Sequence, residues 1–270
     1  MLEEEYVLGT HEGEVARLGL QHRVWRRRAL DAWLEAGFTS GQTLLDLGSG
    51  PGYATLDLAE IAGSAGRVVA IEKSRRFLDT LRATAQQRQL TNIDTYQLDL
   101  DRDALPDVAV DGAWVRWVFA FVRNPRELLR RTRAAMKPGA SLVIHEYFDY
   151  STWRVTPRSE VFESFVAAVM QSWRANGGEP DIGLDLLRWL PEEGFRVRRV
   201  RPIVEVIAPT DYLWQWPRTF ILTGADRLAD LGTISAERAR EVKEAFLRSE
   251  ASPETRMVTP AVIELIAEAV

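Results

Sequence analysis

A chain of 270 residues with 46% hydrophobic and 27% charged side chains carries enough apolar material for a large core, which excludes disorder over most of its length. Its formal charge of −5 argues against a protein whose main work is gripping nucleic-acid phosphates. With no cysteine, disulfides, thiol nucleophiles and thiolate metal sites are excluded.

The first forty residues read as helix: Leu18, Leu20, Val24, Trp25, Leu30, Trp33 and Leu34 recur at three- and four-residue spacing up to a stop at Gly37. Short β-rich runs then alternate with amphipathic helices. Strands are expected at Thr43–Leu47, Arg67–Ile71, Ile93–Leu98, Gly112–Val118 and Ser141–Tyr147, the last after a turn at Lys137-Pro138-Gly139. Helices are expected at Tyr53–Ala62, Ser74–Gln89 with Ser74 as cap, and Pro125–Met136. That alternation implies parallel strands joined by right-handed crossovers. After Asp149 it pauses for a helix around Phe162–Trp173, ended by Gly177-Gly178, and another at Leu184–Leu190. A β pattern resumes at Phe195–Ile207, a helical stretch covers Trp216–Ser249, and an apolar run, Val258–Ile266, follows. No repeat or linker interrupts the chain, so residues 1–270 read as one domain: a helical lid at 1–40, a core at 41–150, a helical insertion at 151–194 and closing strands and helices at 195–270.

The sharpest feature is Leu44-Leu45-Asp46-Leu47-Gly48-Ser49-Gly50-Pro51-Gly52, between the first strand and the next helix. Glycines there let the backbone approach a nucleotide, and the helix start offers free N–H groups. Position 53 is tyrosine, so the dinucleotide spacing Gly-x-Gly-x-x-Gly is not met. Asp46 at the strand end would repel a phosphate and suits a cofactor carrying positive charge. Glu72 ends the second strand, where a carboxylate can accept from both ribose hydroxyls, and Asp99 ends the third, within reach of an adenine amino group. One acid at a strand end is commonly a solvated loop residue; three on successive strands form a pattern.

With VVAIEKS, LDLDRDALP, VDGAWVRWVFAFV and LLRRTRAAMKPGASLVIHEY, the loop LDLGSGPG resembles class I S-adenosylmethionine-dependent methyltransferases, within them the UbiE/COQ5-like, type 11 group. The resemblance covers residues 40–150 and, more loosely, the last two strands. It implies a three-layer α/β Rossmann-like sandwich with a seven-stranded, mostly parallel sheet whose last strand is antiparallel, with a helical insertion after the fifth strand. It implies S-adenosylmethionine as cofactor, with S-adenosylhomocysteine as product. Gly48, Ser49, Gly50 and Gly52 then belong to the cofactor loop with Asp46, Glu72 to the ribose site with Lys73 beside it, Asp99 and Leu100 to the adenine site, and Val115 or Arg116 to the methionine end. Tyr6 and Gln21 resemble a lid over that end, unless their helix merely packs on the sheet. Arg23, Arg26, Arg27 and Arg28 read as a solvated face in preference to an RNA contact.

The implied activity is methyl transfer to O, N or C of a small molecule, aromatic or hydrophobic, because Trp117, Tyr147, Tyr150 and Trp153 would build an apolar acceptor pocket, one that would also suit a cation by cation–π attraction. Alternatives are an RNA or protein methyltransferase, a non-catalytic cofactor-binding module, and a nicotinamide oxidoreductase. No catalytic residue is assigned. His145 and Glu146, ending the fifth strand, are the candidates, although a buried structural role suits His145 better and Glu146 could pair a cationic substrate or Arg116. No metal is expected, since His11, His22 and His145 are dispersed. No apolar run approaches the roughly 18 residues that span a bilayer, and charged Met1–Tyr6 does not read as a signal peptide. The expectation is a cytoplasmic monomer or homodimer whose partner is a small methyl acceptor, not a nucleic acid.

Overall fold

Apolar runs buried on both faces form the central strands of the computed structural model, which describes residues 12–270. Strands β1 (Thr43–Leu47), β2 (Arg67–Glu72), β3 (Ile93–Gln97), β4 (Val110–Arg116) and β5 (Met136–Asp149) are mutually parallel. The seven-stranded sheet runs β3-β2-β1-β4-β5-β10-β7, where β7 is Phe195–Ile203 and β10 is Ala261–Ala269. Strand β10 is antiparallel to both β5 and β7, the one reversal in the sheet.

Alternation of side chains divides the sheet cleanly. Leu45, Leu47, Val69, Ile71, Val115, Leu142, Ile144 and Leu265 face one way, against α4 (Pro125–Ala135) and α6 (Gly183–Glu192). Leu44, Val68, Trp114, Val143 and Ile266 face the other, against α1 (Glu12–Glu35) and α2 (Tyr53–Ala62). Helix α3 (Arg75–Gln87) packs Leu78, Leu81 and Ala85 beside Ala70, and Ser74 Oγ caps it by accepting from the Phe77 amide at 3.3 Å.

Several boundaries differ from the sequence reading. Strand β5 already begins at Met136; the expected Lys137-Pro138-Gly139 turn is an irregularity within it, between the Val110–Met136 and Gly112–Ser141 pairs. The Phe195–Ile207 run divides between β7 and β8 (Val206–Ile207), which joins a second sheet of order β6-β9-β8 with β6 (Arg154–Thr156) and β9 (Arg256–Val258). The stretch 216–249 is two helices, α7 (Gln215–Asp230) and α8 (Ala236–Glu250), parted where Gly232 takes a positive φ of 71°. Of the 151–194 segment, β6 and α5 (Glu160–Ala175) stand apart from the main sheet. Ile182, Leu186 and Leu190, in and beside α6, join the sheet core.

A second core lies above the carboxyl ends of the strands. Trp153, Phe162, Phe165, Trp173, Trp214 and Phe246, from α5, α7, α8 and their connections, pack with Trp25 of α1. This is a cap assembled from segments far apart in sequence.

Glycine is obligatory where α3 meets the loop after β1. Gly52 has φ +86°, and a Cβ there would lie 2.3 Å from Leu81 Cδ1. Left-handed backbone costs an ordinary residue about 1–2 kcal/mol and overpacking about 1–3 more. Gly52→Ala is therefore expected to destabilise the fold by about 2–4 kcal/mol in denaturant unfolding; a loss below about 0.5 kcal/mol would contradict this packing.

Candidate cofactor and acceptor cleft

The cleft of about 450 Å³ opens where β1, β2, β3 and β4 end. Chain direction makes this edge special: crossovers leave β1 toward β2 on one side and the chain returns to β4 on the other, so the loops diverge. The glycine loop turns tightly here. Ser49 N donates to Ile71 O at 2.9 Å and Gly52 N to Ser49 O at 3.0 Å. Gly48, Gly50 and Gly52 all have positive φ. A Cβ on Gly48 would lie 2.5 Å from Val118, whereas one on Gly50 would meet nothing within 4 Å. Gly50 thus leaves backbone bare toward the cleft, a cradle that a side chain would fill.

Glu72 lines the cleft with its carboxylate already aimed. Its Oε2 accepts from Gly50 N at 2.9 Å and its Oε1 from Ser74 N at 2.8 Å. A carboxylate oxygen can accept more than one hydrogen bond, so hydroxyl donors suit this position. Asp99 Oδ1 accepts from Asp101 N at 3.0 Å and Oδ2 sits 3.2 Å from Lys73 Nζ. Burial alone would raise the Asp99 pKa, but the Asp101 amide and the Lys73 ammonium together hold it below the usual range. Leu100 supplies an apolar wall beside it. Arg131 of α4 donates to the carbonyls of Leu100 and Asp103, which fixes this loop. Bare backbone, a pre-aimed carboxylate and an acid-plus-leucine wall fit a ribose and adenine.

Asp46 is buried beside the glycine loop, its Oδ2 accepting from Thr55 Oγ1 at 2.6 Å; burial pushes its pKa up to about 6. Arg116, at the end of β4, packs over Trp117 at 5.3 Å and Trp114 at 5.6 Å. Burial pulls its pKa down to about 10, with Asp46 and Asp57 opposing. Its Nη2 lies 3.1 Å from His22 Nδ1, and His22 Nε2 lies 3.0 Å from Asp57 Oδ2. A guanidinium can only donate, so Nδ1 is the acceptor and the His22 proton sits on Nε2, directed at Asp57. Burial lowers the His22 pKa more than Asp57 raises it, consistent with that neutral tautomer. Arg26 closes the network on Asp57 through bonds of 2.7 and 3.1 Å.

The residues expected at the site therefore separate into two groups. Gln21, Asp46, Gly48, Ser49, Gly50, Glu72, Lys73, Asp99, Leu100, Arg116, Trp117 and Tyr147 all line the cleft. Gly52 does not, because it serves the contact with Leu81. Val115 points into the sheet core, opposite to Arg116. Tyr150 and Trp153 are core of the cap; the Trp153 indole N–H donates to Met257 Sδ at 3.2 Å. Tyr6 and His11 lie outside the described residues.

Neither candidate base reaches the cleft. His145 is 0% exposed, with Nε2 3.0 Å from Glu264 Oε2. Glu146, also 0% exposed, accepts from the Val118 and Phe119 amides at 2.6 and 2.7 Å. It thus pairs neither with Arg116 nor with a substrate and instead fastens the chain leaving β4. Of the basic turn, Arg23, Arg26 and Arg27 are exposed, as a solvated face would be, although Arg26 also bonds Asp57 and half-buried Arg28 bonds Glu205. Sequence reasoning missed Arg17, His22, Asn176 and Phe220, which also line the cleft. Among the described residues, no cluster of three or more His, Cys, Asp or Glu is arranged to hold a metal. No described helix is long and apolar enough to cross a membrane.

Known proteins resemble this arrangement. Residues 45–144 match the model of a methyltransferase domain family. An uncharacterised 37.1 kDa protein of a Streptomyces fradiae transposon is 31% identical over 62% of this chain and 47% of its own length. The ubiquinone/menaquinone biosynthesis C-methyltransferase UbiE of Vibrio parahaemolyticus is 27% identical over 53% of this chain and 54% of its own. The chain thus spans about half the length of the curated relatives it matches. Among solved structures, a Bacillus halodurans protein described as a putative methyltransferase has a TM-score of 0.60 at 15% identity, covering 88% of this chain and 97% of that one. The [4+2]-cyclase SpnF has a TM-score of 0.56 at 20% identity, covering 90% and 80%.

Burial raises the Glu146 pKa to about 8 from an ordinary 4.5, against the pull of the amides it accepts from. A folded pKa above the unfolded one means its stabilisation is full below pH 4.5 and is lost as pH rises through about 8. Glu146→Gln keeps an acceptor for the amides and cannot ionise. Across that window the melting temperature of the wild-type chain is expected to fall relative to Glu146→Gln; parallel curves would show that Glu146 does not bind a proton on folding.

Proposed function

We propose that this chain, a class I S-adenosylmethionine-dependent methyltransferase of the UbiE-like group, moves a methyl group to a small, planar or hydrophobic acceptor held under the aromatic cap. The observation that carries the reading is the pairing of a bare glycine loop with Glu72, whose carboxylate is held by Gly50 N and Ser74 N beside the cleft. Fold alone would not carry it, since a [4+2]-cyclase shares the architecture. When bound, S-adenosylmethionine supplies a methyl carbon on a positively charged sulfur, open to in-line attack.

The chain's own residues position and shield. Glu72 would hold the ribose, Asp99 and Leu100 the adenine, and Arg116 the methionine carboxylate, in line with its place between Asp46 and His22. Trp117, Phe121, Tyr147, Trp173 and Phe220 line the far side of the cleft, where an apolar acceptor would displace water. In-line transfer rests mainly on such positioning. Neither His145 nor Glu146 faces the cleft, so the proposed chemistry uses no side-chain base from β5.

Calorimetry on Glu72→Ala tests the reading. Two charge-assisted hydroxyl bonds at roughly 1.5–3 kcal/mol each, partly replaced by water, set an expected loss of about 2–3 kcal/mol. Affinity should fall about 30- to 150-fold, alike for S-adenosylmethionine and S-adenosylhomocysteine, because both carry the ribose. Unchanged affinity for both would place the cofactor elsewhere.

A further inference from the structure

Resting on that reading, we infer that His22 is a positioning residue for the cofactor's amino-acid end: it holds the Arg116 guanidinium where the methionine carboxylate arrives and keeps it off Asp57. Among the described residues, the cleft is also lined by Arg17, Lys73 and Arg123, and none of them is placed as Arg116 is. Lys73 Nζ sits 3.2 Å from Asp99 Oδ2, and the Arg123 amide bonds Asp101 Oδ1 at 2.7 Å, so both stand on the adenine side. Arg17 spans the two Glu14 oxygens at 2.6 and 2.8 Å and reaches Gln21 at 3.0 Å. Arg116 is left, at the end of β4 and within the field of Asp46.

The side chain that meets Arg116 is an imidazole and not an acid. Arg116 Nη2 lies 3.1 Å from His22 Nδ1, and His22 Nε2 lies 3.0 Å from Asp57 Oδ2. Asp57 would be the stronger partner, because a carboxylate and a guanidinium make a charge-assisted, two-pronged pair. Arg26 already makes that pair with Asp57, at 2.7 and 3.1 Å. His22 bars Arg116 from making a second. Its ring is 5% exposed and stacked on Tyr53 of α2, with centroids 6.1 Å apart and 21° between the planes. With Nε2–H fixed on Asp57, Nδ1 is fixed as the acceptor for Arg116. A neutral imidazole takes one N–H and no charge, so the guanidinium is aimed without being neutralised. Nη2 keeps its other N–H, and the ion pair with an incoming carboxylate is still to be made.

This joins distant parts of the chain. His22 comes from α1 and Asp57 from α2, whereas Arg116 ends β4. A carboxylate on Arg116 therefore favours the docked α1, and the docked α1 favours the carboxylate by the same factor.

Calorimetry on the full chain with S-adenosylhomocysteine and with 5′-methylthioadenosine tests this. The two share adenine, ribose and thioether, and only the first carries the amino-acid carboxylate. His22→Phe keeps a flat ring against Tyr53 and removes both nitrogens. It should bind S-adenosylhomocysteine about tenfold more weakly, as the loss of one charge-assisted bond requires, and methylthioadenosine within about twofold of wild type. His22→Asn puts an oxygen where Nδ1 stands and should recover most of that loss. His22→Gln reaches Asp57 in place of Nε2 but offers Arg116 no acceptor. It should behave as His22→Phe does, and it carries the test if the phenylalanine variant does not fold. Equal weakening of both ligands would make His22 merely structural and overturn the inference. Unchanged S-adenosylhomocysteine affinity, or an asparagine variant no better than the glutamine one, overturns it as well. Failure of the wild-type chain to bind S-adenosylhomocysteine overturns the cofactor reading instead.

Discussion

Strand order around β1 is the constraint on which the rest depends. With β2 on one side and β4 on the other, the loops leaving β1 and β4 must diverge, and the gap between them cannot be filled by backbone. The glycine loop is the local solution: three residues with positive φ turn the chain from strand into helix within a few positions. Ser49 N continues the β1–β2 ladder by one bond to Ile71 O, so the turn begins without a break in the sheet. Glu72 then stands one residue beyond Ile71 and reaches back to Gly50. Carboxylate and loop hold each other, which sets the site before any ligand arrives.

A row of polar residues crosses the α1 face of the same sheet. Arg116 is in register with His145, His145 with Glu264, and Glu264 with Arg201, so all four side chains point to one side. Three of them are joined: His145 Nε2 lies 3.0 Å from Glu264, and Arg201 donates to Glu264 at 2.8 Å. Helix α1 roofs the row with Trp25 and ties its cleft end to α2 through His22 and Asp57. Burial keeps both histidines below their ordinary pKa, so each works as a neutral connector between fixed charges. The N-terminal helix is thus part of the site's electrostatics.

The sandwich was legible because its signals are local. Thr43–Leu47 and Tyr53–Ala62 fall where apolar runs, glycines and helix periodicity put them, and Ser74 caps as its hydroxyl suggests. Strand-end acids were legible for the same reason, since Glu72 and Asp99 are read from position alone. What escaped is what depends on contacts across the chain. Glu146 looks like a strand-end catalytic group, yet the Val118 and Phe119 amides take its carboxylate; for His145 the buried role that already suited the sequence better is the one seen, against Glu264 on a neighbouring strand. Phe220 and Arg17, more than two hundred residues apart in sequence, meet over the cleft, and neither sits in a recognisable pattern. Tyr150 and Trp153 failed in the opposite sense: their aromatic character announced a pocket, but the cap needed them as its core.

That double use of aromatic residues shapes how the cleft can select. Trp117 stacks on Tyr147 at 5.5 Å and on Trp216 at 5.6 Å, while Trp25 meets Trp117 and Trp216 edge-on at 5.2 and 4.9 Å. Rings so interlocked have few alternative rotamers, because moving one displaces three others. The aromatic wall of the cleft is therefore formed before any ligand enters, and little side-chain ordering is left to oppose binding. Rigidity has a second effect, on charge. Arg116 cannot swing away from Trp117 to make room for a cation without losing His22, and His22 is held by Asp57. The position of this guanidinium is therefore set by packing and hydrogen bonding within the chain.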